Sequence, residues 1–279
     1  MTKWLLIGIC VLCASARADI VELGLPNKLV ARAEFRAGES SKPAVLLLHG
    51  FLQTHEFPLI HRMTESLSSA GYTVLAPSLS LGISHRKQSL ACEALHTHTQ
   101  DDAIKEIGAW LTWLKARNVR SVVLLGHSFG SMQALAYVTE RRDPIVSKLI
   151  GVSIIEGRMK IQVPDYNTLM REIRAMAAAG ESKTVTQPFS FCQKFRASPK
   201  SLLSYLEWSP EKIVREINRS RLPIVFIMGG QDDRLGPGWI DQLAKTRAKL
   251  QIIKGANHFM DGEYEFDLQD LVLAELKSR

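Results

Sequence analysis

The chain has 279 residues, of which 46% are hydrophobic and 23% are charged, and its formal net charge is +7. This length and composition suit one large core and exclude disordered, collagen-like, coiled-coil and disulfide-scaffold proteins. The positive charge is concentrated in residues 158–221, which contain twelve Lys or Arg and six Asp or Glu. Such a segment favours anionic substrates if it covers an active site, or it is simply a solvated helical face. No nucleic-acid-binding motif accompanies it, so we expect no nucleic-acid partner.

Residues 1–18 have the pattern of a secretory signal peptide. Lys3 precedes ten apolar residues, and the segment ends in Ala-Arg-Ala, which offers small residues where a signal peptidase reads them. An N-terminal membrane anchor is the alternative, but ten apolar residues are too few for a bilayer span, which needs about twenty. We therefore predict cleavage near Ala18, no stable membrane span and a periplasmic or secreted mature protein.

The remaining chain alternates between strand and helix patterns. Residues 20–36 predict one or two antiparallel edge strands. Short aliphatic runs typical of buried parallel strands follow at 44–48, 72–76, 121–125, 149–155, 223–228 and 250–253. Helical spacing of apolar residues separates them at 59–70, 104–114, 131–141, 239–248 and 266–276, and Asp101 or Asp102 is the expected N-cap of the second helix. This alternation predicts an α/β fold with a mainly parallel sheet that is covered by helices on both faces.

One long segment, residues 158–221, departs from this rhythm. It predicts helices near 165–179, 199–208 and 210–218, and no strand. We interpret it as a helical lid inserted between two parts of one core, residues 19–157 and 222–279. Its aromatic side chains either line an acyl pocket or pack the lid onto the body; they are Phe189, Phe191, Phe195, Tyr205 and Trp208.

Two cysteines, Cys92 and Cys192, lie outside the predicted signal peptide. In an oxidising compartment they can form one disulfide, and otherwise they are two separate buried thiols. Their spacing matches no metal site. His96 and His98 are spaced like two zinc ligands, but no third or fourth ligand accompanies them, so we expect no metal and no cofactor.

The strongest chemical signal is Gly126-His127-Ser128-Phe129-Gly130, between a predicted strand and a predicted helix. A serine hydroxyl is a weak nucleophile unless it is exposed beside a base. A tight strand-to-helix turn exposes the hydroxyl, strains the serine and leaves no room for side chains at the two glycines. The following helix also points its N-terminal N–H groups at developing negative charge. We therefore predict that Ser128 is a nucleophile.

Three further motifs follow predicted strands, at residues 46–51, 226–234 and 253–259. With the Ser128 turn, they make the sequence resemble the α/β-hydrolase family from about residue 43 to the C-terminus, apart from residues 158–221. The resemblance implies the fold expected above. The order Ser, Asp, His along the chain also matches that family.

The resemblance implies a role for one residue in each motif. The backbone N–H groups of Phe51 and Phe129 would form the oxyanion hole, with Leu52 a weaker candidate donor. Asp232 would be the triad acid, and the alternative acids are Asp233 and Glu156. His258 would be the general base. His49 and His127 are expected to shape their loops.

The expected function is a serine hydrolase of the carboxylesterase type, which cleaves an ester or thioester through an acyl-enzyme on Ser128. Its expected partner is a small-molecule acyl substrate, anionic or hydrophobic. Acyl transfer, perhydrolysis and small-peptide hydrolysis on the same triad are alternatives. A non-catalytic binding member of the fold is another, although the complete triad disfavours it.

Overall fold

The computed structural model describes residues 18–180 and 183–278, so the predicted signal peptide lies outside the described residues except for Ala18. The strands in chain order are β1 (Ala18–Gly24), β2 (Val30–Arg36), β3 (Ala44–Leu48), β4 (Val74–Ser78), β5 (Val122–His127), β6 (Val146–Val152), β7 (Val185–Phe189), β8 (Cys192–Ala197), β9 (Ile224–Gly229) and β10 (Lys249–Ile253). The helices are α1 (Pro58–Ser69), α2 (Gln100–Lys115), α3 (Phe129–Glu140), α4 (Val163–Ala178), α5 (Pro199–Leu206), α6 (Pro210–Arg219), α7 (Trp239–Ala244) and α8 (Tyr264–Lys277).

The main sheet contains eight strands in the order β1-β2-β4-β3-β5-β6-β9-β10. The pairs from β4 to β10 in this order are parallel, whereas β1 pairs antiparallel with β2 and β2 antiparallel with β4. The predicted mainly parallel sheet with antiparallel edge strands is therefore confirmed. In such a sheet the loops that follow β3, β5, β9 and β10 meet at one edge, where ligands usually bind.

Apolar side chains pack on both faces of this sheet. Along β3, Val45 and Leu47 belong to the core cluster that includes α1 and α8, while Leu46 and Leu48 belong to the cluster that includes α2 and α3. Successive side chains of a strand point to opposite faces, so one aliphatic run serves both clusters. No helix within residues 18–180 and 183–278 is long and apolar enough to cross a bilayer.

The N-cap of α2 is Thr99, not Asp101 or Asp102 as the sequence suggested. The Thr99 side chain accepts a hydrogen bond from the Asp102 N–H, and the Asp102 carboxylate accepts one from the Thr99 N–H. This reciprocal pair is a capping box, in which the acidic residue stands three positions after the cap. The sequence prediction mistook Asp102, the acidic residue of this capping box, for the N-cap of the helix.

The segment from residue 158 to residue 221 contains α4, α5 and α6, but it also contains the β7–β8 hairpin. The prediction that it has no strand is therefore wrong. Two contacts with a preceding loop hold the hairpin in place. The backbone of β8 bonds to residues 92–96, and the side chains of Cys92 and Cys192 form a disulfide with a Cα–Cα distance of 5.5 Å. Short strands held by such distant contacts leave a weak local signal. The lid role of the segment stays a prediction.

Candidate active site

Ser128 lies in the turn between β5 and α3, with backbone angles φ 57° and ψ −120°. A non-glycine residue at positive φ is strained by about 1–3 kcal/mol and persists only where its surroundings hold it. Here the Ser128 N–H donates to the carbonyl oxygen of Val152 over 2.8 Å. A Cβ atom on Gly126 would lie 2.5 Å from the backbone of Gly130, and a Cβ on Gly130 would lie 2.5 Å from the His49 carbonyl oxygen. Only glycine fits at both positions, so the turn keeps its sharp form.

The His258 imidazole joins Ser128 to Asp232. Its Nε2 lies 2.9 Å from the Ser128 Oγ, and its Nδ1 lies 2.7 Å from an Asp232 carboxylate oxygen. Because an ionised carboxylate only accepts hydrogen bonds, Nδ1 carries the proton and Nε2 accepts from the Ser128 hydroxyl. The Asp232 side chain is fully buried and the His258 side chain is 5% exposed. The three side chains therefore form one directed hydrogen-bond chain that begins at the buried carboxylate of Asp232.

Of the three candidate acids, only Asp232 bonds to His258. Its other carboxylate oxygen accepts the Arg234 backbone N–H at 3.0 Å, which fixes the carboxylate plane. Asp233, one residue further on, is exposed at the rim of the cleft described below. Glu156 is buried elsewhere and accepts the Arg158 N–H, and desolvation raises the pKa of its carboxyl to about 7.

The two predicted oxyanion residues, Phe51 and Phe129, are adjacent. Their ring centroids are 4.5 Å apart, so side-chain packing couples the loop after β3 to the Ser128 turn. Among the described residues, neither backbone N–H has a hydrogen-bond acceptor. Phe129 is also the first residue of α3, where the helix leaves N–H groups unpaired and its dipole attracts negative charge.

Arg86, which the sequence analysis did not single out, supports the loop after β3. Its buried guanidinium donates to the carbonyl oxygen of Gln53 at 2.6 Å and lies 3.1 Å from the His49 Nε2. The same side chain donates to the carbonyl oxygens of Leu79 and Gln88. An Arg in a polar loop gives no local signal of this kind, because its acceptors come from separate segments.

His49 and His127 have the structural positions that the sequence suggested. The His49 Nδ1 donates to the Gly50 carbonyl oxygen, and its Nε2 accepts the Leu79 N–H at 3.0 Å. The His127 Nε2 donates to the carbonyl oxygen of His258 at 2.9 Å and so anchors the loop after β10. Burial lowers the pKa of both imidazoles to about 3, so both are neutral.

A cleft of about 480 Å³ opens over Ser128 and His258. Residues 159–161 and 188–191 of the segment after β6 form one wall of this cleft. Of the aromatic residues predicted there, Phe189 and Phe191 line the cleft, whereas Phe195 and Tyr205 are buried against Phe51. Packing onto the body is therefore confirmed for Phe195 and Tyr205, whereas an acyl pocket at Phe189 and Phe191 stays a prediction.

His96 and His98 are buried away from this cleft. The His96 ring stacks on Phe195 at 4.6 Å, and burial lowers the pKa of His98 to about 3. Over residues 18–180 and 183–278, no three His, Cys, Asp or Glu side chains are grouped closely enough to hold a metal ion.

A sequence profile of the alpha/beta hydrolase family matches residues 45–266. One curated rice protein (Oryza sativa subsp. japonica), named "Probable 1-acylglycerol-3-phosphate O-acyltransferase", is 24% identical over 181 residues, which cover 63% of this chain and 36% of that protein. The chain thus spans about a third of the length of the curated relative it matches.

Solved structures share the fold at low sequence identity. The alpha/beta hydrolase GrgF from Penicillium sp. sh18 has a TM-score of 0.69 and 20% identity, over 94% of this chain and 98% of that one. Est1E from Butyrivibrio proteoclasticus has a TM-score of 0.63 and 15% identity, over 94% and 99%. The carboxylesterase CesB from Bacillus subtilis has a TM-score of 0.60 and 15% identity, over 94% and 92%.

Proposed function

Because the chain belongs to the alpha/beta hydrolase family, we propose that it is a serine hydrolase that cleaves carboxylic esters or thioesters. The observation that carries this proposal is the hydrogen-bonded chain from Ser128 through His258 to Asp232. A relay of this polarity activates a serine hydroxyl for attack on an acyl carbonyl. The carboxylesterase and Est1E folds are compatible with this chemistry.

In the proposed mechanism, His258 takes the proton of the Ser128 hydroxyl as Oγ bonds to the acyl carbon. The carbonyl oxygen becomes an oxyanion, which the free N–H groups of Phe51 and Phe129 stabilise. His258 then gives its proton to the leaving alcohol or thiol as the tetrahedral intermediate collapses to an acyl-enzyme. Water, deprotonated by the same imidazole, then attacks the acyl carbon; as the second tetrahedral intermediate collapses, the bond to the Ser128 Oγ breaks, His258 returns the proton to Oγ and the acid leaves.

A fluorophosphonate probe tests the nucleophile directly. We expect the probe to label the wild type and the Ser69→Ala control, whose serine is exposed on α1, but not Ser128→Ala. Folding of each variant is checked by circular dichroism and thermal unfolding. Absence of labelling in folded wild-type protein contradicts the proposal. Para-nitrophenyl esters of graded chain length then measure the preferred acyl group.

Acyl transfer is the second candidate, and the name of the rice relative favours it. The chemistry is identical up to the acyl-enzyme, after which an alcohol replaces water. Adding an alcohol acceptor such as glycerol and quantifying ester against free acid distinguishes the two. Transfer products that dominate at low acceptor concentration favour the transferase. Perhydrolysis and peptide cleavage stay alternatives on the same residues.

We also propose a periplasmic or secreted location. The predicted signal peptide over residues 1–18 supports it, and so does the Cys92–Cys192 disulfide, since disulfides persist in oxidising compartments. Fractionating cells that express the full chain tests this. Retention of the uncleaved chain in the cytoplasm contradicts it.

A further inference from the structure

Two cationic side chains, Arg234 and Lys160, line the cleft over Ser128. Elsewhere on the molecule many Arg and Lys side chains pair with carboxylates, as Arg36 does with Glu34. Within the described residues, neither Arg234 nor Lys160 has an acidic partner. The cleft therefore contains positive charge that the protein itself leaves unpaired.

Arg234 places its guanidinium near two aromatic rings of the cleft. Its backbone N–H donates to Asp232, and its guanidinium lies 4.7 Å from the Phe259 ring centroid and 5.8 Å from that of Phe191. Stacking on aromatic rings restricts the guanidinium while it leaves the N–H donors at the edge free. Such a fork binds a carboxylate or phosphate with paired, charge-assisted hydrogen bonds.

The position of Arg234 relative to the reacting groups is also informative. The Phe259 ring lies 5.2 Å from the His258 ring, so one aromatic ring separates the guanidinium from the general base. Arg234 and Ser128 line the same cleft, so one small molecule can contact both. The rest of the cleft is largely apolar, with Phe51, Ile155 and Phe189 among its lining residues.

We propose that the substrate is an ester or thioester that carries an anionic group, a carboxylate or a phosphate. This group binds Arg234, with Lys160 as a second cation, while the acyl chain occupies the apolar part of the cleft. The inference rests on the proposed function and specifies its substrate class. The anion belongs either to the acyl part or to the alcohol part, and the experiment distinguishes them.

Asp233 has the opposite effect. Its exposed carboxylate lies at the rim of the same cleft and forms no ion pair among the described residues. The Asp233 carboxylate repels a bound anion. Removing its charge therefore strengthens the preference for anionic over neutral substrates, whereas removing Arg234 weakens that preference. The two substitutions therefore move the preference for anionic substrates in opposite directions, which a general loss of fold does not.

The experiment compares kcat/KM for two matched pairs of esters. Para-nitrophenyl monoadipate against para-nitrophenyl hexanoate places the charge on the acyl side. Para-carboxyphenyl hexanoate against para-carbamoylphenyl hexanoate places it on the alcohol side. For at least one pair, we expect Arg234→Gln to lower the charged-to-neutral ratio by about tenfold or more, and Arg234→Lys to lower it less. We expect Asp233→Asn to raise the ratio, and added salt to lower it.

Lys194→Gln is the matched control, because Lys194 is an exposed cation outside the cleft lining. It changes the net charge as Arg234→Gln does, and we expect its ratio to match the wild type. The inference is overturned if Arg234→Gln leaves the charged-to-neutral ratio unchanged for both pairs of esters. It is also overturned if Lys194→Gln lowers this ratio as much as Arg234→Gln does. If the wild type hydrolyses none of the esters and takes no fluorophosphonate label, the proposed function itself fails.

Discussion

The proposed triad acid, Asp232, offers the most discriminating test, because the structure fixes what an amide does at position 232. In Asp232→Asn, the Oδ1 atom still accepts the Arg234 N–H that Asp232 accepts at 3.0 Å. The reverse orientation would set the amide nitrogen against that N–H, donor against donor. The amide nitrogen of the introduced asparagine must therefore face the His258 Nδ1 as a donor.

This orientation forces the wrong tautomer of His258. Its Nδ1 then has to accept, so the proton moves to Nε2, the atom that lies 2.9 Å from the Ser128 Oγ. A protonated Nε2 cannot take the serine proton. The loss expected for such a tautomer change is about 10,000-fold in kcat, which corresponds to about 5 kcal/mol of transition-state stabilisation. The substitution keeps the size of the side chain, so the fold should be retained.

The assay measures kcat with a saturating neutral ester for Asp232→Asn, Asp233→Asn and the wild type, after thermal unfolding has verified each fold. Asp233 makes no bond to His258, so we expect its substitution to cost less than about tenfold. Retention of a tenth or more of the activity by Asp232→Asn refutes the reasoning. So does an equal loss in Asp233→Asn, because the two positions then cannot be told apart.

Three further predictions concern groups outside the triad. Cys92→Ser with Cys192→Ser opens a cross-link between residues 100 positions apart, so we expect denaturant unfolding to show about 2 to 5 kcal/mol less stability. Arg86→Met removes the donors that hold the loop before α1, and we expect kcat to fall by up to about 100- to 1,000-fold, as for a lost oxyanion donor. Burial raises the Glu156 pKa to about 7, so the folded state keeps a proton that the unfolded state loses near its ordinary pKa of 4.5. The contribution of Glu156 to stability therefore falls by about 3 kcal/mol as pH rises through this window, and the stability difference between the wild type and Glu156→Gln should change by about that amount.

Each of these has its own control. Reductant should destabilise the wild type and leave the double serine variant unchanged. Arg86→Lys, which keeps the charge but not the fork of donors, should lie between Arg86→Met and the wild type. An Arg86→Met enzyme with full kcat contradicts the positioning role. For Glu156, the assigned cause is contradicted if the free energies of unfolding of the wild type and of Glu156→Gln change by the same amount between about pH 5 and about pH 7.

Much of the architecture was predictable because its signals are local. Aliphatic runs such as 44–48 have the length and side chains of buried strands, and the amphipathic stretches between them have helical spacing. The Ser128 turn is equally local, since two glycines and a strained serine suffice to define it. These features depend on residues that are close together in the sequence, so the sequence is enough to predict them.

The sequence predictions were wrong or incomplete where the local signals for a cap, a strand or a side-chain contact are ambiguous or absent. Thr99 and Asp102 are both good capping residues, and only the geometry shows which of them is the cap. The β7–β8 hairpin is short, and its partner residues lie near Cys92, about a hundred positions earlier. Arg86 illustrates the same limit, because its role depends on carbonyl oxygens that the fold brings together from several loops.

The sequence alone predicted Ser128 as the nucleophile, because a strand, a turn and a helix are written there in consecutive residues, and the family resemblance implied the residues expected to act with it. The tertiary structure decided which carboxylate bonds to His258, that Cys92 meets Cys192, and that Arg234 lies unpaired beside the cleft. Those outcomes depend on contacts between separate segments of the chain: Asp232 and His258 follow the neighbouring strands β9 and β10, and Cys92 and Cys192 are 100 residues apart. Such contacts come from packing the whole fold rather than from any one segment.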